Sequence, residues 1–243
     1  MRSWLVLSSA AASALWWHRI RVVQAGIPRA AEYWSVPRGE AGGLLYVALG
    51  DSAAQGIGAS QPDRGYVGLL AGRLRDTSGS PVQVVNLSVS GATLQDVLDE
   101  QLPRLLELTP DLVTVAVGGN DMFHPAPERF DAAAAELVGQ LPAGTLVADV
   151  PYFMHGRWER AADRAARVLT RHAQQTGLTV VALHAALRNL GWKAMATHFA
   201  ADWFHPNNRG HRVWADAFWI AYPCTQPQVD PPALDPPPPA PHG

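Results

Sequence analysis

Ser52 follows Gly50-Asp51, and His205 stands three residues after Asp202 in the run Asp202-Trp203-Phe204-His205-Pro206. These are the parts of a serine hydrolase. A serine hydroxyl is a poor nucleophile until a base takes its proton, and His205 is the candidate base. Asp202 is spaced to receive the imidazole Nδ1 proton, which fixes the tautomer and stabilises the imidazolium during attack. Acyl transfer also builds negative charge on the former carbonyl oxygen, so donors must point at it. The backbone N–H groups of Ser52 and Gly91 are candidate donors, glycine allowing close backbone approach. The Asn120 side-chain amide, after Gly118-Gly119, is a third. Each piece alone has a plain structural explanation. Asp-x-x-His occurs as a loop hydrogen bond, Gly50-Asp51-Ser52 as a strand-ending turn, Ser90 or Thr93 as a helix cap, and Gly118 to Asp121 as a turn. The functional reading rests on the complete set and its order.

Ser52 and His205 lie about 150 positions apart, so the fold must carry both to one edge. Apolar runs over residues 44–49, 82–87, 112–117, 145–150 and 178–183 predict five strands. Helical patterns over 66–75, 94–108, 130–141, 157–175 and 209–221 separate or follow them, with Pro103 placed to kink the second and Gly177 to stop the fourth. Near-continuous apolar strands alternating with helices predict a buried parallel sheet covered on both faces. In such sheets ligands bind beyond the carboxyl ends of the strands, near a topological switch point. Ser52 follows the first strand, Gly91 the second and Asn120 the third, and the Asp202 to His205 loop follows the fifth strand and its helix. Parallel strands bring all four to one edge. No internal repeat and no second domain is evident.

A length of 243 residues suits one α/β domain with a full core. The net charge of -2 gives no electrostatic case for nucleic acid or an anionic membrane as main partner. Cys224 is the only cysteine, so no intrachain disulfide forms; that suits a reducing compartment without excluding an oxidising one. No Cys/His cluster has zinc-ligand spacing, Gly50 to Gly58 lacks the Gly-Lys-Ser/Thr ending of a phosphate loop, and no cofactor or metal is expected. Residues 41–222 are assigned to the domain, 1–40 to an apolar and basic leader, and 223–243 to a Pro-rich tail read as disordered or polyproline-like. The uncharged run over 4–17 is short of the roughly 20 residues that span a bilayer. More positive charge follows it than precedes it, which opposes export. Signal peptide, surface anchor and docked helix all remain open for it. The cytoplasm or a membrane-associated site is favoured over secretion or the cell envelope.

Together, Gly50-Asp51-Ser52, Gly91, Gly118 to Asp121 and Asp202 to His205 resemble the four blocks of the SGNH/GDSL hydrolase family, over about residues 45–221. The resemblance implies a three-layer α/β/α sandwich of flavodoxin-like type with a five-stranded parallel sheet. It implies Ser52 as nucleophile, His205 as base, Asp202 as its orienter, and Ser52, Gly91 and Asn120 as oxyanion hole. Ala53 stands where the family's name has leucine, a departure that bears on packing. No Gly-x-Ser-x-Gly elbow surrounds Ser52 and the acid sits beside the histidine, both of which disfavour the larger α/β-hydrolase fold.

The expected reaction is hydrolysis of a carboxylic ester through an acyl-enzyme on Ser52. Acyl transfer to an alcohol or sugar, and a catalytically silent binding module, are the alternatives. Met122, Phe123, Tyr152, Phe153 and Met154, on loops after the third and fourth strands, are expected to line the cleft and to favour an acyl chain over a bare sugar. The expected partner is a small-molecule or lipid ester, with membrane association through the N-terminal segment open and the oligomeric state unassigned.

Overall fold

The structure is a computed structural model that describes residues 16–154 and 156–223. The first part of the apolar N-terminal run, His155, Cys224 and the Pro-rich tail after Pro223 lie outside the described residues.

The apolar runs form strands because alternate side chains find a helical layer on each face. Val47, Leu49, Val113, Val115 and Val147 pack with one buried cluster, together with Leu94, Leu102, Phe130, Leu137 and Leu169 from four helical segments. Tyr46, Ala48, Leu112, Ala116, Leu146 and Ala148 face the other way, against Tyr66, Leu70, Leu183, Trp214 and Phe218. This period of two, apolar on both sides, is the signature of a sheet buried between helices. The result is an α/β fold of three layers.

Among the described residues six strands make the sheet: β1 (Arg38–Gly39), β2 (Leu44–Gly50), β3 (Val82–Asn86), β4 (Leu112–Ala116), β5 (Leu146–Ala148) and β6 (Thr179–Val181). Their order is β1-β3-β2-β4-β5-β6. The five expected strands are all parallel to one another. The sixth, β1, adds to the β3 edge in antiparallel sense through Arg38 and Gly39. Two residues carry no readable periodicity, which is why the sequence predicts five strands and the sheet has six. The chain leaves β2 to one side to form β3, then crosses β2 to form β4 on its other side. That reversal opens a crevice beyond the carboxyl end of β2.

One element next to the crevice departs from the expected helices, and another matches them. The predicted helix over 94–108 is divided into Leu94–Asp96, a π-turn over Val97–Gln101 and Leu102–Leu106, with Leu102 N–H bonding the Val97 carbonyl. Pro103 has no N–H to offer a regular α-turn. At its start, Thr93 and Asp96 form a reciprocal capping box. The last helix, Asn208–Ala221, is capped by Asn207, whose side chain accepts from the N–H groups of Arg209 and Gly210. The Asn207 amide also donates to the carbonyls of Thr197 and Phe199 at 3.1 and 2.9 Å. A helix start that is worth about 1 kcal/mol as a cap therefore also pins the loop ending at His205.

Candidate active site

β2 ends at Gly50, whose φ of 147° is closed to residues with a Cβ; a Cβ there would lie 2.2 Å from the Ala116 carbonyl oxygen of the neighbouring strand. The chain then turns. Asp51 Oδ1 accepts the Ala53 N–H at 2.9 Å, and the Ser52 carbonyl accepts the Ile57 N–H at 3.0 Å. This presents the Ser52 side chain at the crevice.

The Asp202 to His205 loop comes to the same place. Asp202 Oδ1 accepts the N–H groups of Phe204 and His205, each at 3.1 Å. That tight turn forces Trp203, between them, to a left-handed φ of 56°. Asp202 Oδ2 is 2.6 Å from His205 Nδ1, and His205 Nε2 is 2.9 Å from Ser52 Oγ. Burial opposes charge on Asp202, yet the His205 bond, the His205 charge and the two backbone N–H groups hold its carboxyl below the usual carboxylate range. An ionised acceptor at Nδ1 assigns the ring proton to that nitrogen. Nε2 is then the acceptor of the Ser52 hydroxyl.

Gly91 follows β3 on a loop that touches the Ser52 turn directly, because the Val89 N–H donates to the Gly50 carbonyl at 3.2 Å. Among the described residues no protein acceptor takes the N–H of Ser52 or of Gly91. Asn120, after β4, places its amide Nδ2 2.9 Å from the Ala92 carbonyl and 3.5 Å from Asp51 Oδ2. One of its two N–H bonds is thus well made and the other is long and easily exchanged. Asp121 Oδ2 accepts the Leu94 N–H at 3.1 Å, which joins this block to the start of the divided helix. Burial pushes the Asp51 carboxyl up to about 6; the Ala53 bond and the His205 charge work against that rise, and Asp121 adds to it.

A cavity of about 90 Å³ opens at Ser52 and His205. Tyr152 and Phe153 form part of its wall with Pro151, Leu187, Phe199 and Trp214. The other three expected lining residues sit elsewhere. Phe123 is at the outer rim, 42% exposed, its ring 5.3 Å from Phe204 and 6.3 Å from Phe153 and Trp158. Met122 is buried in the core cluster against the helix Pro127–Gln140. Met154 ends the loop in a left-handed conformation and does not line the cavity. The loop is held from behind: Glu159 Oε2 accepts the Phe153 N–H at 2.8 Å, and His184 Nδ1 donates to the Val150 carbonyl at 2.9 Å. On the other rim, a helical stretch over residues 16–24 lays Trp16 5.8 Å from Trp203, with the Arg19 guanidinium 5.1 Å from the same ring. Among the described residues no helix is long and apolar enough to cross a membrane, and no group of three or more His, Cys, Asp or Glu is arranged to hold a metal ion.

Three buried polar side chains around the site escape the sequence analysis: Gln55, Asn86 and Gln101. Asn86 Nδ2 donates to the Ala54 carbonyl at 2.8 Å, and its Oδ1 accepts the Ser88 N–H at 3.1 Å. Gln101 had a signal. It falls on the apolar stripe of Val97, Leu98, Leu102 and Leu105, where a polar side chain needs a buried partner.

The sequence model of the GDSL-like Lipase/Acylhydrolase family matches residues 48–213. The chain is similar to an acetylxylan esterase of Geobacillus stearothermophilus, 26% identical over 174 residues, which cover 63% of this chain and 78% of that one. It is also similar to esterase TesA of Pseudomonas aeruginosa, 47% identical over 79 residues, or 32% of this chain and 37% of TesA. Among solved structures, LAE5, an alpha/beta hydrolase enzyme from the metagenome of Lake Arreo, Spain, matches at a TM-score of 0.64 and 27% identity, covering 76% of this chain and 97% of LAE5.

Proposed function

The chain belongs to the GDSL-like lipase/acylhydrolase family, and from that premise we propose that it cleaves esters through an acyl-enzyme on Ser52, with His205 as base and Asp202 as its orienter. That it is a carboxylic ester hydrolase follows from the family and its esterase relatives. The finer reading is supported above all by one observation, the unbroken hydrogen-bonded line Asp202–His205–Ser52 at the mouth of an apolar cavity.

In this mechanism the Ser52 oxygen attacks the ester carbonyl while its proton passes to His205 Nε2. The imidazolium so formed holds its Nδ1 proton and donates it in a hydrogen bond to ionised Asp202, whose charge it complements. The carbonyl π pair moves onto oxygen, where the N–H groups of Ser52 and Gly91 receive it. Asn120 contributes the N–H that otherwise makes the long contact to Asp51. Collapse of the tetrahedral intermediate breaks the bond to the alcohol oxygen, which leaves with the proton from Nε2. Water then repeats the sequence on the acyl-enzyme, giving its proton to Nε2 and releasing the acid and free Ser52.

The acyl group is read as short. The cavity of about 90 Å³ is smaller than the roughly 150 Å³ that admits a benzene ring, and its wall is mainly apolar and aromatic. The acetylxylan esterase likeness makes acetate the natural lower end of a series. Labelling with a fluorophosphonate, followed by peptide mapping, should place the adduct on Ser52, and Ser52→Ala should abolish ester turnover in a folded protein. Undiminished turnover in that variant would end the serine mechanism. On p-nitrophenyl esters, rates should rise beyond acetate and fall for long chains. Activity confined to acetate would remove the apolar-chain reading, and undiminished rates on palmitate would remove the size limit.

A further inference from the structure

The proposed chemistry needs two backbone donors, one on each of two loops, held at a fixed separation. The residues that fix it lie outside the four motif blocks. Both polar groups of Gly50 are bound by one side chain: Gln101 Oε1 accepts the Gly50 N–H at 2.8 Å, and Gln101 Nε2 donates to the Gly50 carbonyl at 2.8 Å. Gln101 is 1% exposed. The same Gly50 carbonyl accepts the Val89 N–H. Gly50 is two residues before Ser52, and Val89 is two residues before Gly91. The Gly50 carbonyl is therefore the common anchor of the two segments that carry the donors. A second amide braces the same pair of segments from the far side. Gln55 Nε2 donates to the Ser88 carbonyl at 2.9 Å, and its Oε1 accepts the Ser90 hydroxyl at 2.6 Å.

The helix is built to make this contact. Gln101 closes the π-turn Val97–Gln101, and the extra residue in that turn rotates the following helix relative to a regular one. π-Turns are costly and concentrate at functional sites. Here the turn delivers an amide that serves as acceptor and donor to the two polar backbone groups of Gly50, where β2 has run past its pairing with β3 and keeps β4 alone as a partner.

We propose that Gln101 is a positioning residue that sets the separation of the Ser52 and Gly91 N–H groups, and so the quality of the oxyanion hole. The proposal rests on the hydrolase reading above. Gln101→Leu keeps the size and removes both bonds. It should lower kcat on the order of a hundredfold, the scale of a displaced catalytic geometry, while leaving KM unchanged. Backbone hydrogen exchange should quicken in residues 50–53 and 88–92 together. Gln101→Glu supplies a second test should the leucine variant fail to fold. A protonated carboxyl donates and accepts as the amide does, and burial favours that form; an ionised one only accepts. The activity of Gln101→Glu relative to the wild type should be high at acidic pH and fall as pH rises, a ratio from which the titration of the catalytic groups common to both proteins cancels. Wild-type kcat in Gln101→Leu, a loss confined to KM, exchange unchanged at 88–92, or a pH-independent ratio would each overturn the proposal. A wild-type protein inert to all esters would instead count against the hydrolase reading, and the exchange data would still decide the clamp.

Discussion

At the scale of single residues, the Asn120 amide has structural work as well as proposed chemistry. Its bond to the Ala92 carbonyl ties the β4 loop to the Gly91 loop. If its second N–H serves the oxyanion, Asn120→Ala should raise the barrier by about 2.7–4 kcal/mol, seen in kcat and with KM little altered. A loss of only a few-fold would leave Asn120 as a tie between loops. The blocks around Ser52, Gly91, Asn120 and His205 were legible in the sequence because each demands a particular residue type: a hydroxyl, an absent Cβ, an amide, an imidazole. For Gln101 the apolar stripe marks a need for a buried partner but not which one, because that partner is the backbone of Gly50, 51 residues away, and backbone leaves no mark in a sequence. Met122 and Phe123 show the complementary failure. Adjacent apolar residues looked alike, yet one faces the core and the other the rim.

At the scale of elements, the helix Asn208–Ala221 does more than cover the sheet. His211, fully buried on it, donates through Nε2 to the Ile57 carbonyl at 3.1 Å and receives the Tyr66 N–H at Nδ1 at 3.3 Å. Tyr66 in turn stacks on Phe218 of the same helix at 5.0 Å. Burial, against the Ile57 bond, pulls the His211 imidazole down to about 4. The unfolded chain takes up that proton first as pH falls from the ordinary 6.5, so His211 contributes stability above that value and loses it on the way down to about 4. The change is about 3 kcal/mol. Asp51 and Asp149, both raised to about 6 by burial, act in the opposite sense, favouring the fold at lower pH and losing stability as pH rises towards 6. Comparing proteins cancels them. Urea unfolding of His211→Gln beside the wild type should show a deficit at pH 7 that shrinks by about 3 kcal/mol by pH 4; parallel curves would remove His211 from the acid limb. The long strands were readable because burial on both faces leaves near-continuous apolar runs. The two-residue β1, the π-turn and the helix Ala194–Thr197 were not, since each spans too few residues for a period to repeat, and the helix Leu183–Asn189 begins on the last residue of the apolar run read as the fifth strand.

At the scale of the whole molecule, the parallel sheet was legible but its strand order was not, because periodicity says which residues are buried and nothing about which strand lies beside which. That order sorts the site. The groups proposed to react come from the connections after β2, β3 and β4 and from the loop before the last helix. The connection after β5 lends Tyr152 and Phe153 to the cavity wall and supplies no reacting group, whereas the connection after β6 supplies both wall, through Leu187 and Phe199, and the Asp202–His205 pair. Replacing Phe153 by Ala should therefore enlarge the cavity and shift the preferred acyl chain upward, with the rate on acetate changed far less than the rates on longer esters. An equal loss on all chain lengths would mean that the wall also supports the reacting groups. If the separation holds, it has a meaning on the timescale of descent. A lineage built on this sheet can change what it feeds on by remodelling the β5 connection alone, while the reaction is inherited untouched.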